Sequence, residues 1–532
     1  MASPAAPAFP SIILATLNAK FIHASLGLRY LLANMGDLKP QTALREFTVA
    51  RGAQEVVNEL LCTLGAPQAG SVQIVGLGVY IWNVTQTCEV VRLLKSQRPT
   101  LKVVLGGPEV SHELEGQAIV QLADYVITGW GDVSFVGLCR ALMCGPRPLM
   151  KVLAGEQPPL HRIVLPYAEY TDADLAHRLL YVEASRGCPF KCEFCLSSLD
   201  KTAIAFDLDA FLAQMLALYQ RGARNFKFVD RTFNLKIDAS VRILQFFLDR
   251  LTPELFVHFE VIPDHLPERL KAMIVQFPPG VLQFEVGIQS FNVAVQQRIS
   301  RKQDNAKTIA NLAWLVDASH AHLHTDLIFG LPGEDLESFA QGFDQLYALR
   351  PHEIQLGILK RLRGTPIARH SVEYAMVYET RPPYTVLQTN VVDAPTVQRF
   401  TRFARYWDLV ANSGRFRQTL PVLLAWVGSG PGNTASPFYA FLGFADWLWR
   451  STGKTSGLSP EMLVDALSDY LRVCCGLAAP VIQRVLVADY VASGARASPQ
   501  SLKGLLPKRQ AAASHAPRAL ALRQDRHVQA ID

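Results

Sequence analysis

Arg186 to Leu196 reads RGCPFKCEFCL, and no other stretch restricts so sharply what this chain can become. Cys188, Cys192 and Cys195 stand at C-x3-C-x2-C directly after the apolar run LLYVEAS, so a strand delivers a short ligand loop. Three thiolates on one loop suit a cubane of four irons whose fourth iron has no protein ligand and stays open to a cofactor or substrate. A zinc knuckle is the rival. It needs a further C-x2-C or C-x2-H pair at matching spacing, and Cys62, Cys88, Cys139, Cys144 and the adjacent Cys474 and Cys475 supply none.

The spacing, the aromatic Phe194 just before the third cysteine and the place after a first strand resemble the cluster loop of the radical S-adenosylmethionine (SAM) family. In that family the open iron chelates the amino and carboxylate groups of SAM, and an electron from the [4Fe-4S] cluster splits the sulfonium to give a 5′-deoxyadenosyl radical. The resemblance implies Cys188, Cys192 and Cys195 as cluster ligands and Phe194 as a SAM neighbour.

At 532 residues the chain is too long for one ordinary core, and two or three domains are expected. From Ser11 to about Arg147 five strand-like runs, SIILATL, TALREFTV, VQIVGLGV, LKVVLGG and ADYVITG, alternate with amphipathic stretches. That alternation predicts a doubly wound parallel α/β sheet with ligands beyond the carboxyl ends of its strands. The loops there are NAKFIHAS, GVYIWN, GGPEVS and GWGD. Glycines at strand ends admit a bulky ligand close to the backbone, although plain tight turns use the same residues.

The order V-x-L-G-G-P-E, then A-D-Y-V-I-x-G-x-G, is similar to the flavodoxin- or Rossmann-like cobalamin-binding domain that precedes many radical SAM cores. It implies a corrinoid held by Asn18, Ser25, Gly78, Tyr80, Gly106, Gly107, Pro108, Glu109, Gly129 and Gly131. Two departures stand out. Trp130 and Asp132 occupy the acidic places of a loop that usually reads G-E-G-E, and the D-x-H-x-x-G signature is absent. Cobalt is therefore expected without a protein histidine beneath it, and His23 is read as a loop or packing residue.

Lys151 to Ala176 is a proline-bearing connector, after which six strand and helix alternations predict a partial (β/α)6 barrel with its chemistry at the carboxyl strand ends. Asp230, Glu260, Gln289, Ser290 and the Gly330 to Glu334 turn fall at those ends. Asp230 or Glu260 could accept hydrogen bonds from the SAM ammonium or ribose, Gln289 could serve the ribose or carboxylate, and the GLPG turn could wall the adenine. A helix cap or a rim ion pair accounts for either acid equally well, and Arg231 could pair with Asp230 or bind a carboxylate. The segments match the radical SAM patterns E-x-G-x-Q-S and D-L-I-x-G-L-P-G-E. The resemblance thus implies SAM contacts at Asp230, Glu260, Gln289, Ser290, Gly330, Leu331 and Pro332.

After Thr365 the alternation stops, and about Pro395 to Ser493 shows helical spacing of apolar residues. Phe400, Phe403, Tyr406, Trp407 and Phe416 are read as core rather than a base-stacking platform. The segment resembles the uncharacterised helical module that follows the core in a bacterial radical SAM subgroup. Expected boundaries are 1–150 for the cobalamin-binding domain, 151–176 for the linker, 177–394 for the radical SAM core, 395–494 for the helical module and 495–532 for a disordered basic tail.

The net charge of +6 is mild for this length and partly concentrated near the C-terminus, so no nucleic-acid surface is expected. MASPAAPAFP lacks the features of a signal peptide and no apolar run is long enough to span a bilayer, so a cytoplasmic protein with no membrane contact is expected. A reducing compartment also keeps the thiols free.

The resemblance implies an enzyme that spends one SAM on methylating cobalamin and a second on making the radical. It would methylate an unactivated carbon of an unknown small-molecule or peptide substrate, with an electron donor such as flavodoxin or ferredoxin. No residue is assigned as general acid or base. A cobalamin-assisted radical rearrangement or cyclisation without methyl transfer is the alternative, and a non-catalytic corrinoid or redox sensor is another. An RNA-modifying enzyme of the methylthiotransferase kind would need a second cysteine set or a basic RNA-binding module, and neither is present.

Overall fold

Every residue of β1 (Ile12–Asn18) is buried, as a central strand covered on both faces must be. The computed structural model describes residues 9–425, 436–495, 497–506, 524, 526 and 527. Around β1 lie β2 (Thr42–Thr48), β3 (Ile74–Gly78), β4 (Lys102–Gly106), β5 (Tyr125–Thr128) and β6 (Val152–Ala154), all parallel, in the order β2-β1-β3-β4-β5-β6. The connecting helices are α1 (Leu26–Ala33), α2 (Ala53–Leu64), α3 (Val84–Gln97), α4 (Ala118–Leu122) and α5 (Ser134–Cys144).

Alternate residues serve opposite faces. Ile13, Ala15 and Leu17 pack with Val56, Leu60, Val90 and Leu94, whereas Ile12 and Leu14 pack with Leu28, Phe135 and Leu138. The doubly wound sheet is therefore present, with a sixth strand that the sequence reading lacks. β6 comes from the stretch read as a connector, and three residues are too few to show a period.

A capping box between Thr171 and Asp174 opens α6 (Asp172–His177). Next come β7 (Leu180–Val182), β8 (Ser185–Arg186) paired antiparallel with β9 (Ile204–Ala205), α7 (Leu208–Gln220) and β10 (Asn225–Phe228), which pairs in parallel with β7. These elements belong to one compact unit that comprises the chain up to Arg231 with Lys360–Ala368 and Glu379–Thr385.

The second unit comprises Thr232–Leu359, Arg369–Tyr378 and the chain from Val386. It holds α8 (Ile237–Leu248), β11 (Phe256–Val261), α9 (Glu268–Ile274), β12 (Leu282–Gln289), α10 (Val293–Arg298), α11 (Asn305–Ala318), β13 (His322–Phe329), α12 (Leu336–Ala348) and β14 (Glu353–Ile358). Strands β11 to β14 are parallel, and their register aligns Glu260 with Glu285, Glu285 with His324 and His324 with Glu353. Val257, Phe259, Phe284, Val286, Leu323, Leu327 and Phe329 are buried on the opposite face. One face of these strands is thus apolar and the other carries the polar side chains.

After β15 (Val377–Tyr378) and β16 (Val386–Gln388) the chain is helical: α13 (Ala394–Val410), α14 (Thr419–Leu424), α15 (Pro437–Thr452), α16 (Pro460–Val473) and α17 (Ala479–Ala492). Phe400, Phe403, Tyr406, Trp407 and Phe416 are all buried, and the Phe400 ring stacks on Phe329 at 4.0 Å. Just past α13, Asn412 Oδ1 accepts the Ile354 N–H at 3.0 Å while its Nδ2 donates to the Ile354 carbonyl at 2.9 Å, satisfying the backbone of β14 as a further strand would. The tail expected to be disordered lies mostly outside the described residues; within it Arg526 Nε donates to the Ser413 carbonyl at 2.7 Å. Among the described residues no helix is long and apolar enough to cross a membrane.

Candidate functional site

The loop carrying the three cysteines leaves from β8 and returns through β9. Gly187, with φ +85°, makes the departure, and a Cβ there would stand 1.6 Å from the Thr202 carbonyl oxygen, so only glycine fits. The Cys188 N–H donates to the Asp200 carbonyl at 3.0 Å and the Cys195 N–H to the Cys192 carbonyl at 3.1 Å, which folds the loop on itself. Cys188 is buried, and Cys192, Phe194 and Cys195 are half-buried. Burial pushes the Cys188 thiol up, the neighbouring Cys195 and Cys192 add to this, and Arg231 opposes it.

None of the three cysteines is tied up in a disulfide, so the donor set an iron-sulfur cluster takes is intact. Among the described residues no group of three or more His, Cys, Asp or Glu side chains stands as a cage for a metal ion.

Asp230 was expected at the barrel mouth. It is instead buried, accepting the Ala184 N–H at 2.9 Å and the Ser185 hydroxyl at 2.5 Å, so it clamps the strand end that feeds the loop. Burial raises its carboxyl to about 7 against those hydrogen bonds. These contacts give Asp230 structural work at the strand end, one hydrogen bond to each carboxylate oxygen.

A cavity of about 410 Å³ lies in the first unit. On one side it is lined by the strand ends Gly78, Tyr80, Gly106, Gly107, Gly129 and Gly131, and on the other by Arg186, Gly187, Ser197, Asp200 and Arg231 around the cysteine loop. A Cβ on Gly129 would meet nothing within 4 Å and one on Gly106 only a carbonyl oxygen at 3.8 Å, so these two glycines keep the floor open. That cradle fits a bulky ligand approaching bare backbone. No histidine is among the lining residues, and His23 Nδ1 sits 2.7 Å from the Tyr181 hydroxyl, in keeping with a packing role.

Four of the residues expected at the corrinoid do not line this cavity. Asn18 donates to Glu46 at 2.9 Å, and Ser25 caps α1. Pro108 opens a 3-10 turn, and the buried Glu109 accepts from Arg363 at 2.8 Å and from the Tyr384 hydroxyl at 2.5 Å. Each is engaged in holding a loop, and of the expected residues Gly78, Tyr80, Gly106, Gly107, Gly129 and Gly131 line the cavity.

Arg186 and Glu183, given no role by sequence reasoning, also line the cavity. Arg186 donates from Nη1 and Nη2 to Asp132 at 3.0 and 3.1 Å and from Nε to Glu183 at 2.7 Å. Its guanidinium carbon lies 4.3 Å from the Tyr30 ring centroid, 4.8 Å from that of Trp130 and 5.5 Å from that of Phe206. Burial alone would lower its pKa, but Glu183 and Asp132 outweigh this and hold it above the ordinary arginine value. The replacements in the G-E-G-E loop are thereby explained, since Asp132 pairs with the guanidinium and Trp130 covers it. The signal was the unassigned arginine immediately ahead of the first cysteine pair's glycine.

In the second unit Glu260 is half-buried near the end of β11. Gln289, the last residue of β12, holds φ +70° at a bulge, and its Oε1 is buried without a hydrogen-bond partner. A strained residue with an orphaned acceptor fits a ligand-binding role. Ser290 donates to Glu334, whose carboxyl burial raises to about 7, so the two motif segments are tied together directly. Gly330 has φ +85° and Leu331 is fully buried, while the Pro332 carbonyl accepts from Arg298 at 2.6 Å. Leu331 is therefore packed inside the second unit.

Three family models match successive stretches of the chain. The family model for the B12 binding domain matches residues 12–138, that for the radical SAM superfamily residues 182–346, and that for a protein family of unknown function residues 372–527. An uncharacterised methyltransferase of Pyrococcus horikoshii is 29% identical over 205 residues, 33% of this chain and 44% of that relative, so the chain spans less than half of its length.

Among solved structures, the cobalamin-dependent S-adenosylmethionine radical enzyme OxsB with aqua-cobalamin bound is 14% identical, with a TM-score of 0.59 over 91% of this chain and 79% of that one. The radical S-adenosylmethionine methyltransferase TsrM from Kitasatospora setae, with cobalamin and a [4Fe-4S] cluster bound, is 16% identical, with a TM-score of 0.52 over 69% of this chain and 75% of that one. At these identities the likeness is one of fold.

Proposed function

We propose, from the premise that this chain belongs to the radical SAM superfamily and carries a B12-binding domain ahead of its core, that it is an enzyme methylating an unactivated carbon of a small-molecule or peptide substrate. When bound, the [4Fe-4S] cluster supplies the electron that splits SAM, and cobalamin carries the methyl group. One observation supports this reading above the rest: a single cavity is lined both by the glycine-bearing strand ends of the B12-matching region and by residues flanking the cysteine loop.

The chain's own residues position and shield. Cys188, Cys192 and Cys195 would hold the cluster, and Gly106 and Gly129 leave room for a corrinoid at bare backbone. Arg231, exposed and lining the cavity near Cys188, offers a cation to an anionic group such as a SAM carboxylate.

Anaerobically reconstituted protein supplied with hydroxocobalamin, dithionite and methyl-labelled SAM tests the reading. Cluster and corrinoid absorption bands together, 5′-deoxyadenosine formation and labelled product support methyl transfer. Unlabelled but altered product points to rearrangement or cyclisation. Absence of 5′-deoxyadenosine leaves a corrinoid- or redox-sensing protein.

A further inference from the structure

Arg186 meets two regions of the first unit at once. Tyr30, Trp130 and Asp132 come from the B12-matching region and line the cavity, while Arg186 itself is followed by Gly187 and then by Cys188. The side chain is 14% exposed and Asp132 7%, so this is a bidentate ion pair largely removed from water, with the guanidinium over the Tyr30 and Trp130 rings. The step from Arg186 to Cys188 has no slack, since Gly187 lies against the Thr202 carbonyl.

We propose that Arg186 couples the two cofactor sites, so that filling either one raises the affinity of the other. The proposal rests on the cofactor reading given above. A corrinoid in the cavity would contact and order the shell of Tyr30, Trp130 and Asp132. That shell grips the guanidinium, and the guanidinium sets the path of the loop at its first cysteine. A cluster on the three thiols orders the same path from the other end. Whichever site is filled first bears the entropy of ordering the shared clamp, and the second binds to a clamp already ordered. Because coupling free energies are reciprocal, the effect appears equally in either order of addition. Arg186 acts here as a positioning residue.

The test is the affinity of the full-length chain for hydroxocobalamin, titrated anaerobically by absorbance before and after reconstitution with iron and sulfide. In the native chain reconstitution is expected to tighten binding by roughly 5- to 150-fold, the usual span of such couplings. Arg186→Lys keeps the charge but loses the two-pronged geometry, and Trp130→Leu uncovers one face of it. In both variants the ratio should fall to about one while each still binds hydroxocobalamin and takes up iron. A merely structural role would lower both affinities and leave their ratio unchanged.

Equal affinities in the native chain, or an undiminished ratio in the variants, overturns the proposal alone. A native chain that binds no hydroxocobalamin or takes up no iron overturns the cofactor reading and this inference with it. Thermal melts identify a variant that fails to fold, and the native ratio then decides.

Discussion

Cys192 and Asp230 illustrate how differently single residues could be read from the chain. Cys192 sits in a spacing that needs no partner from elsewhere, so its role is open to direct test: Cys192→Ala should bring the iron and sulfide content of reconstituted protein to background, with the far-ultraviolet circular dichroism retained. Asp230 was visible as an acid at a strand end, but its partners Ala184 and Ser185 lie 46 and 45 positions away, so its actual work was not visible.

Its burial has a signed consequence. With the carboxyl raised from 3.8 to about 7, the folded chain binds more protons than the unfolded one across that window. This stabilising contribution is full below about pH 4 and is lost as pH rises through about 7. Glu334, raised from 4.5 to about 7, acts in the same direction. Asp230→Asn should therefore reduce, without abolishing, the fall in urea midpoint between pH 5 and pH 7; an unaltered slope would show that the carboxyl is not the group responsible.

At the scale of elements, two local geometries carry the load. In the cysteine hairpin, Gly187→Ala adds a methyl where the Thr202 carbonyl already stands and forces alanine to a left-handed φ. Strain of this kind costs on the order of 1–3 kcal/mol and falls on the loop. Iron uptake should drop several-fold while the melting temperature of the remaining structure changes little.

On the helical side, Asn412→Leu removes both hydrogen bonds to Ile354 and leaves its buried amide and carbonyl unsatisfied, at about 1–3 kcal/mol per group. A lower melting temperature, with aggregation on warming followed by light scattering, is the expected outcome. Long periodic elements such as α13 and α16 were legible, whereas β6 and α10 were not, because three and six residues are too few to reveal a period.

For the whole molecule, any ligand that binds the folded chain and not the unfolded one raises stability by mass action, by about 2.7 kcal/mol at a hundred times its Kd. Hydroxocobalamin should therefore raise the melting temperature of the transition that includes the first unit in a concentration-dependent way. The absence of any shift at saturating concentration would argue against a site in the glycine-lined cavity. The fold class was readable because alternation of strand and helix repeats up to β14. The region matched by the family of unknown function, residues 372–527, was readable as a helical module but not in its packing, since amphipathic spacing tells that a face is buried and not what buries it.

What the chain alone determined were properties that live within a few residues or recur at a fixed period: the thiol spacing, the alternating strands, the buried aromatics of α13 and the glycines at strand ends. What tertiary structure decided was which polar groups meet. Asp132 and Arg186 are separated by 54 positions and Glu109 and Arg363 by 254, so neither pair leaves a local mark. Periodicity is imposed on neighbours by backbone geometry, while the choice of a buried partner is made by chain closure, after segments without local relation have been brought within hydrogen-bonding distance.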